Sequence, residues 1–299
     1  MAQPKTPMSN LDLINACDDF PLPQKNLQAY IEKVNSYYHF KVASYHSTLG
    51  YVLPSIAEVF ARYPGWELKF NSTPRTLTLN AGSTESSRSA LLKSAYGPSG
   101  ELLFSIERSA IMLLGTVSYG IHMIAYTHCA ETNAPKLWIS KRSKTVAVYP
   151  GLLDNCVAGG ISTGEIPFES LIREAHEEAS LPADLVRKNV KACGTLSYLH
   201  ARGARAGGEL GLLQPDVHFL YKFELPVGVE PRSFDDEVEW YQLWDIEQIK
   251  EALRMAEFKP NFALVMLDFF VRHGVLNEGN EPDFIQIFIR DCIGLWNSA

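Results

Sequence analysis

Apolar residues recur three and four positions apart over 24–35 and again over Pro54–Arg62, the spacing of amphipathic helices. Leu68–Leu79 and Leu102–Glu107 carry the alternation of half-buried strands, and the Gly/Ser/Thr-rich stretch Asn80–Arg88 reads as a loop. These elements predict an α+β N-terminal unit over residues 1–110. The most apolar stretch of the chain, Ala110–Tyr126, is interrupted by Gly115, Ser118, Gly120 and His122. It is shorter than the roughly 20 residues a membrane span needs, so it reads as buried strands.

A denser β pattern follows. Gly120–Thr127 and Lys136–Lys141 alternate β-favouring residues, Pro150-Gly151 marks a turn, and Val157–Ile161 is a short strand. Phe168–Ala179 has helical periodicity. Strands are expected near Val190–Tyr198, Val217–Leu225 and Trp240–Trp244, and helices over Ile246–Glu257 and Asn261–His273. Strands on both sides of a central helix predict an α/β fold with a mixed sheet between helices, spanning 111–275 and followed by a C-terminal extension over 276–299.

Composition narrows the function. The net charge of −7 over 299 residues leaves no basic footprint of the kind nucleic-acid binders carry. The polar first residues, Met1–Asn10, lack a signal-peptide core, and the five cysteines form no CxxC pair. No nucleic-acid partner, no membrane association and a cytoplasmic location are the expectations; the oligomeric state is left open.

Candidate chemistry concentrates in 159–181. Pro167 suits the first turn of a helix, whose apolar face is Leu171, Ile172 and Ala175. Glu174, Glu177 and Glu178 fall at i, i+3 and i+4, so three like charges share one face and repel. A bound divalent cation offsets that repulsion, and carboxylate oxygens, water and phosphate are the ligands Mg²⁺ prefers. A solvated acidic face is the commoner meaning of three such acids alone. The glycine pair Gly159-Gly160, the loop acid Glu165 and the adjacent Arg173 favour a site.

In these residues the chain resembles the Nudix hydrolase family. That signature is Gly, five residues, Glu, seven residues, Arg-Glu, an aliphatic residue, any residue, Glu-Glu, any residue, Gly and an aliphatic residue. Gly159, Glu165, Arg173, Glu174, Glu177, Glu178 and Leu181 match it, and Ala175 is a small aliphatic residue. Ser180 stands where the family has its helix-ending glycine, so the helix is expected to end without the usual left-handed residue. The resemblance implies a Nudix α/β/α sandwich, Mg²⁺ or Mn²⁺ as cofactor and a small-molecule diphosphate as substrate. It implies that Glu174, Glu177 and Glu178 are catalytic and metal-binding carboxylates, with Glu174 or a later acid assisting the attacking water. The Ala158 carbonyl is implied as a further metal ligand, and Gly159, Glu165 and Arg173 as structural parts of the motif.

A narrower resemblance, to Nudix proteins similar to the domain fused to thiamine pyrophosphokinase, covers roughly residues 40–285. Its carriers are Glu107–Ala110, Tyr149–Asn155, Gly194–Tyr198, Gln214–Asp216, Glu239-Trp240, Lys259–Asn261 and Arg272–Gly274. It implies hydrolysis of thiamine diphosphate, or oxidised (oxo or oxy) forms of it, to the monophosphate. The basic run Lys141, Arg142, Lys144 is a candidate phosphate clamp, Arg142 and Lys144 foremost, although a solvated hairpin edge is the commoner meaning of such a run. Tyr198, Trp240 and Tyr241 are candidate walls for a flat cationic ring, with core packing the alternative for each. His200, Arg202 and Arg205 mark a Gly/Ala-rich loop, Ala201–Gly208, expected to be a lid or a surface loop. Asp235, Asp236, Glu237 and Glu239 are candidates for a further metal ligand or base, although such an acid run is more often solvent-facing, and His122 and His176 read as structural or surface residues.

Two other readings share the fold. An isopentenyl-diphosphate-isomerase-like enzyme fits Arg142–Asn155 superficially, but Ala158 and Gly160 stand where its catalytic cysteine and metal-binding histidine belong, with Cys156 two positions off. A non-catalytic ligand-binding module loses signature carboxylates, and here all are present.

Overall fold

The structure, a computed structural model, describes residues 6–21, 23–42, 45–62, 67–81, 92–96, 102–206, 208–234 and 236–292. Helix α1 (Asn10–Cys17) opens on a capping box, Ser9 with Asp12, that satisfies two helix-end N–H groups. Helix α2 (Leu27–Asn35) is capped by Asn26. Strands β1 (Tyr38–Val42) and β2 (Gly50–Val52) precede α3 (Pro54–Arg62), β3 (Glu67–Ser72) and β4 (Arg75–Ala81). The four strands form one sheet in the order β2-β1-β4-β3, with β1 and β4 parallel. Phe40, Val52, Ala57, Leu77 and Leu114 close its core. Strands β5 (Leu92–Tyr96) and β6 (Leu102–Glu107) pair separately and lead into α4 (Arg108–Leu114).

Two expectations are corrected here. The run Leu68–Leu79 is a hairpin rather than one strand, because Pro74 cannot continue a ladder and the chain turns at Thr73-Pro74. Ala110–Tyr126 is not strand throughout, since its first residues belong to α4. The chain turns at Gly115, whose φ of 58° and whose approach to the Tyr51 carbonyl, 2.2 Å from where a Cβ would stand, exclude any other residue. Most of the expected loop Asn80–Arg88 lies outside the described residues.

The larger sheet begins with β7 (Ser118–His128) and β8 (Pro135–Arg142), then β9 (Leu153–Asp154) and β10 (Val157–Gly160). Helices α5 (Pro167–Ala179) and α6 (Ala183–Asn189) follow, then β11 (Lys191–Ala201), β12 (Leu213–Glu224), β13 (Val238–Trp244), α7 (Ile246–Arg254), α8 (Pro260–Arg272) and α9 (Phe284–Cys292). The order is β11-β12-β7-β8-β13, with β10 on β7 and β9 on β8; β12 runs parallel to β7 and the other pairs are antiparallel. Period-two alternation splits β7 between two cores. Ile121, Met123 and Ala125 pack with Leu171, Ile172 and Ala175 of α5. Ile124 and Tyr126 pack with α1, α7, α8 and Ile287 of α9. This is the expected α/β/α sandwich with a mixed sheet, beside a smaller α+β region with its own sheet. Among the described residues no helix is long and apolar enough to cross a membrane.

Candidate active site

Helix α5 starts with Pro167 after the extended Ile166 and ends on Ser180, which itself adopts φ 54° and ψ 28°. Serine thus takes the left-handed position expected to be missing: its N–H and that of Leu181 bond back to His176 and Ala175 carbonyls. The buried face of the helix is Leu171, Ile172, Ala175 and Ala179. One helical turn places Glu174 above Glu178 beside β10.

Strand β10 receives both carboxylates. The Ala158 N–H donates to Glu178 Oε2 at 2.9 Å. At Gly159 a Cβ would stand 2.1 Å from the Glu174 carboxyl carbon, so only glycine lets this acid lie against the strand. Arg173 organises the rest. Its Nε and Nη2 donate to the two Glu165 oxygens at 2.9 and 3.1 Å, and Nη1 donates to Glu174 at 2.9 Å and to Glu177 at 3.0 Å. The bidentate pair holds Glu165 well below the usual carboxylate range, at about 2. Glu178 has the opposite environment: burial, and then the charges of Glu174, Asp154 and Glu237, push its carboxyl well up, against the lowering effect of the Ala158 N–H. Asp154 is 5% exposed and is pushed up to about 6 by burial.

Hard oxygen donors that repel one another out of water are what a divalent cation binds best, so Glu174 and Glu178 fit Mg²⁺ or Mn²⁺. Glu177 is the most exposed of the three, at 51%, and is tied to Arg173. Among the described residues no three such side chains already stand in a metal-holding cluster; the Arg173 and Ala158 contacts hold the carboxylates in the positions described.

The other expected residues divide. Arg142 is occupied: Nη1 donates to Asp154 at 3.2 Å and Nε to the Val148 carbonyl, so it braces β9 rather than standing free as a clamp. Lys144 is exposed, and Lys141 pairs with Glu239 while lying over the Trp240 ring. Tyr198 is core, 3% exposed, with its hydroxyl 3.0 Å from His218 Nε2, because its strand position faces α8 rather than solvent. Trp240 is half-buried beside Trp244. Tyr241 is structural, its hydroxyl donating to the Cys156 and Glu178 carbonyls and so tying β13 to the end of α5.

The loop after β11 lies mostly exposed on the surface, anchored by two arginines. Arg202 is buried and donates to the Ala206 carbonyl, and Arg205 donates to that of Ala256. Asp235 lies outside the described residues; Asp236 and Glu237 are exposed. Sequence reasoning missed Asp154 as a neighbour of Glu178. It also treated His122 as incidental, although a histidine at an inward position of an apolar strand was the available signal.

Residues 124–262 match the model of the NUDIX domain family. Over 189 residues the chain is 35% identical to uncharacterized protein YJR142W of Saccharomyces cerevisiae, covering 62% of this chain and 55% of that protein. Over 196 residues it is 36% identical to Nudix hydrolase 20, chloroplastic, of Arabidopsis thaliana, covering 64% and 50%. The chain therefore spans about half the length of the curated relatives it matches. The crystal structure of DR0079 from Deinococcus radiodurans aligns at 15% identity with a TM-score of 0.42, over 58% of this chain and 97% of that one.

Proposed function

We propose that the chain is a metal-dependent Nudix hydrolase that cleaves the anhydride of a small-molecule diphosphate. The observation that carries this reading is the convergence of Glu174 and Glu178 on β10, one against Gly159 and the other on the Ala158 N–H. Two carboxylates brought against adjacent residues of one strand and largely out of water, with Arg173 pairing only Glu174 of the two, favour a bound cation. The Arabidopsis relative named Nudix hydrolase 20 supports the same activity.

Glu174 and Glu178, with Glu177 and the Ala158 carbonyl, would hold Mg²⁺ or Mn²⁺. Bound there, the cation supplies charge neutralisation on the diphosphate and a more acidic water. The chain's own residues do the positioning. Arg173 fixes the orientation of Glu174 and Glu177 and locks the Glu165 loop onto the helix. Tyr241 ties Glu178's backbone to the strand layer. Glu174 or a later acid of α5 would assist the attacking water.

Thiamine diphosphate or an oxidised analogue is the substrate we favour, cleaved between its phosphorus atoms to the monophosphate and phosphate. The basis is the subfamily resemblance over Tyr149–Asn155, Gln214–Asp216 and Lys259–Asn261. Trp240 and Lys144 remain candidate contacts at the rim. An isomerase-like reading gains nothing from Cys156, which is 1% exposed with its thiol pushed up by burial. The test is a panel of thiamine diphosphate, its oxo and oxy analogues, ADP-ribose, nucleoside triphosphates and isopentenyl diphosphate with Mg²⁺ or Mn²⁺, products identified by mass. The expected outcome is thiamine monophosphate or its oxidised form with the highest catalytic efficiency. A nucleotide preferred tenfold or more overturns the substrate while leaving the hydrolase.

A further inference from the structure

Strands β11 and β12 set two lysines directly opposite each other. Lys191 pairs with Lys222 across the antiparallel ladder, a position where like charges destabilise. Lys188, in the last turn of α6, joins them around a cavity of about 390 Å³. Tyr126 and the turn bearing Val227 supply its apolar wall. The dipole of α6 accounts for Lys188. It does not account for the two strand lysines.

Among the described residues none of the three lysines is ion-paired. The acid on the rim, Glu224, turns instead to His128 Nδ1 at 3.1 Å. Lys222 Nζ donates to His273 Nε2 at 3.1 Å. The other ring nitrogen of His273 donates to the Phe269 carbonyl at 2.8 Å, so the imidazole is neutral and the ammonium keeps its charge uncompensated. Burial holds that imidazole below its usual range. Three ammonium groups thus share one concave space with a single, engaged carboxylate, in a chain whose net charge is −7. The cavity is separate from the carboxylate site. Lys222 pairs with Ile124 of β7, whose side chain packs in the α8 core. Glu174 and Glu178 come from α5 on the other face of the sheet and meet β10, on the other side of β7. Strands β12 and β10 stand two strand spacings apart, about 10 Å.

We infer that Lys188, Lys191 and Lys222 form a second anion site, and that its ligand is a small molecule bearing a phosphate or diphosphate group. Directly opposed side chains start about 4.5–5.5 Å apart, which lets two ammonium groups close on the oxygens of one phosphoryl group. Lysine binds phosphate as a point charge. A monocarboxylate neutralises one of three ammonium groups, whereas a diphosphate answers all of them. The cavity is of small-molecule size, within the range of roughly 300–1,000 Å³. Its concave shape and the acidic balance of the chain disfavour an anionic membrane or an acidic protein, which need a broad basic face.

Calorimetry of the full chain in EDTA, at about 0.15 M salt, is run with inorganic diphosphate and orthophosphate, and with citrate as the carboxylate polyanion. EDTA leaves Glu174, Glu177 and Glu178 without a cation, so they repel all three anions and binding reports the lysines. Diphosphate is expected to bind with a Kd of about 1 mM or below and to raise the melting temperature. Lys188→Met and Lys191→Met, both at exposed positions, are each expected to weaken it about tenfold. Lys191→Met is also expected to melt at or above the unaltered chain, because the cross-strand repulsion is gone. Absence of diphosphate binding, or unchanged binding in either folded variant, overturns the site. Citrate bound as tightly as diphosphate overturns the phosphate assignment. None of these readouts uses turnover, so failure here leaves the hydrolase reading standing.

Discussion

Gly159 and Glu174 occupy one space: a methyl group on the glycine would lie 2.1 Å from the carboxyl carbon and 2.4 Å from Glu174 Cγ. The clash reaches the stem of the side chain, so a small rotation of the carboxylate does not relieve it. Gly159→Ala is predicted to displace Glu174 and lower kcat about 100-fold, equivalent to about 2.7 kcal/mol. Overpacking should also cost about 1–3 kcal/mol of stability. Steady-state kinetics with a urea melt checks both; near-normal kcat would mean Glu174 works from another position.

The Glu165–Arg173 pair predicts an acid signature. Glu165 has its carboxyl at about 2 in the folded chain against an ordinary value of 4.5, set first by the Arg173 hydrogen bonds. A depressed carboxylate stabilises above its unfolded pKa, and the contribution is lost as pH falls through the folded value. The window is therefore pH 4.5 down to 2. Allowing for solvent screening of a partly exposed pair, the contribution is on the order of 1–2 kcal/mol. Glu165→Gln should lower stability at pH 7 by that amount and flatten the loss below pH 4.5. Parallel pH–stability curves for the two proteins would remove this role.

Ser180 holds a left-handed conformation, φ 54°, where a side chain is unfavourable. Ser180→Gly relieves that cost and is predicted to raise stability by about 0.5–1 kcal/mol, with turnover unchanged. Thermal melting with an activity control decides it. A destabilised variant would show that the serine side chain contributes more than its backbone strain costs.

These residues also show how far the sequence could be read. The fixed spacing from Gly159 to Leu181 placed α5, its glutamates and the Arg173 bridge, because every contact there is local or reaches only the adjoining strand. Alternation located β7, β8 and β12. Helix α4 was read as strand because a short apolar run lacks the length that separates the two periods. The capping box at Ser9 went unread although Ser9 and Asp12 stand only three positions apart. The contact of Arg142, a candidate phosphate clamp, with Asp154 follows from the pairing of β8 with β9, a tertiary fact no local window shows. The contacts that join His122, His218 and Tyr198 across three strands, and His122 to Phe262 of α8, lie in no single window of sequence.

The central claim is that Glu178 is part of a metal-dependent diphosphatase site. Its carboxyl is raised by burial and by neighbouring acids, so Glu178→Gln should leave stability equal or higher while removing a metal-binding charge. The measurement is phosphate release from thiamine diphosphate and its oxo and oxy analogues by the unaltered chain and by Glu178→Gln, each with saturating Mg²⁺ or Mn²⁺ and with EDTA. The account predicts metal-dependent release that EDTA abolishes and that the folded variant lowers about 100-fold or more, since metal activation supplies several kcal/mol. Release that persists in EDTA, or near-normal turnover in a folded Glu178→Gln chain, would contradict it.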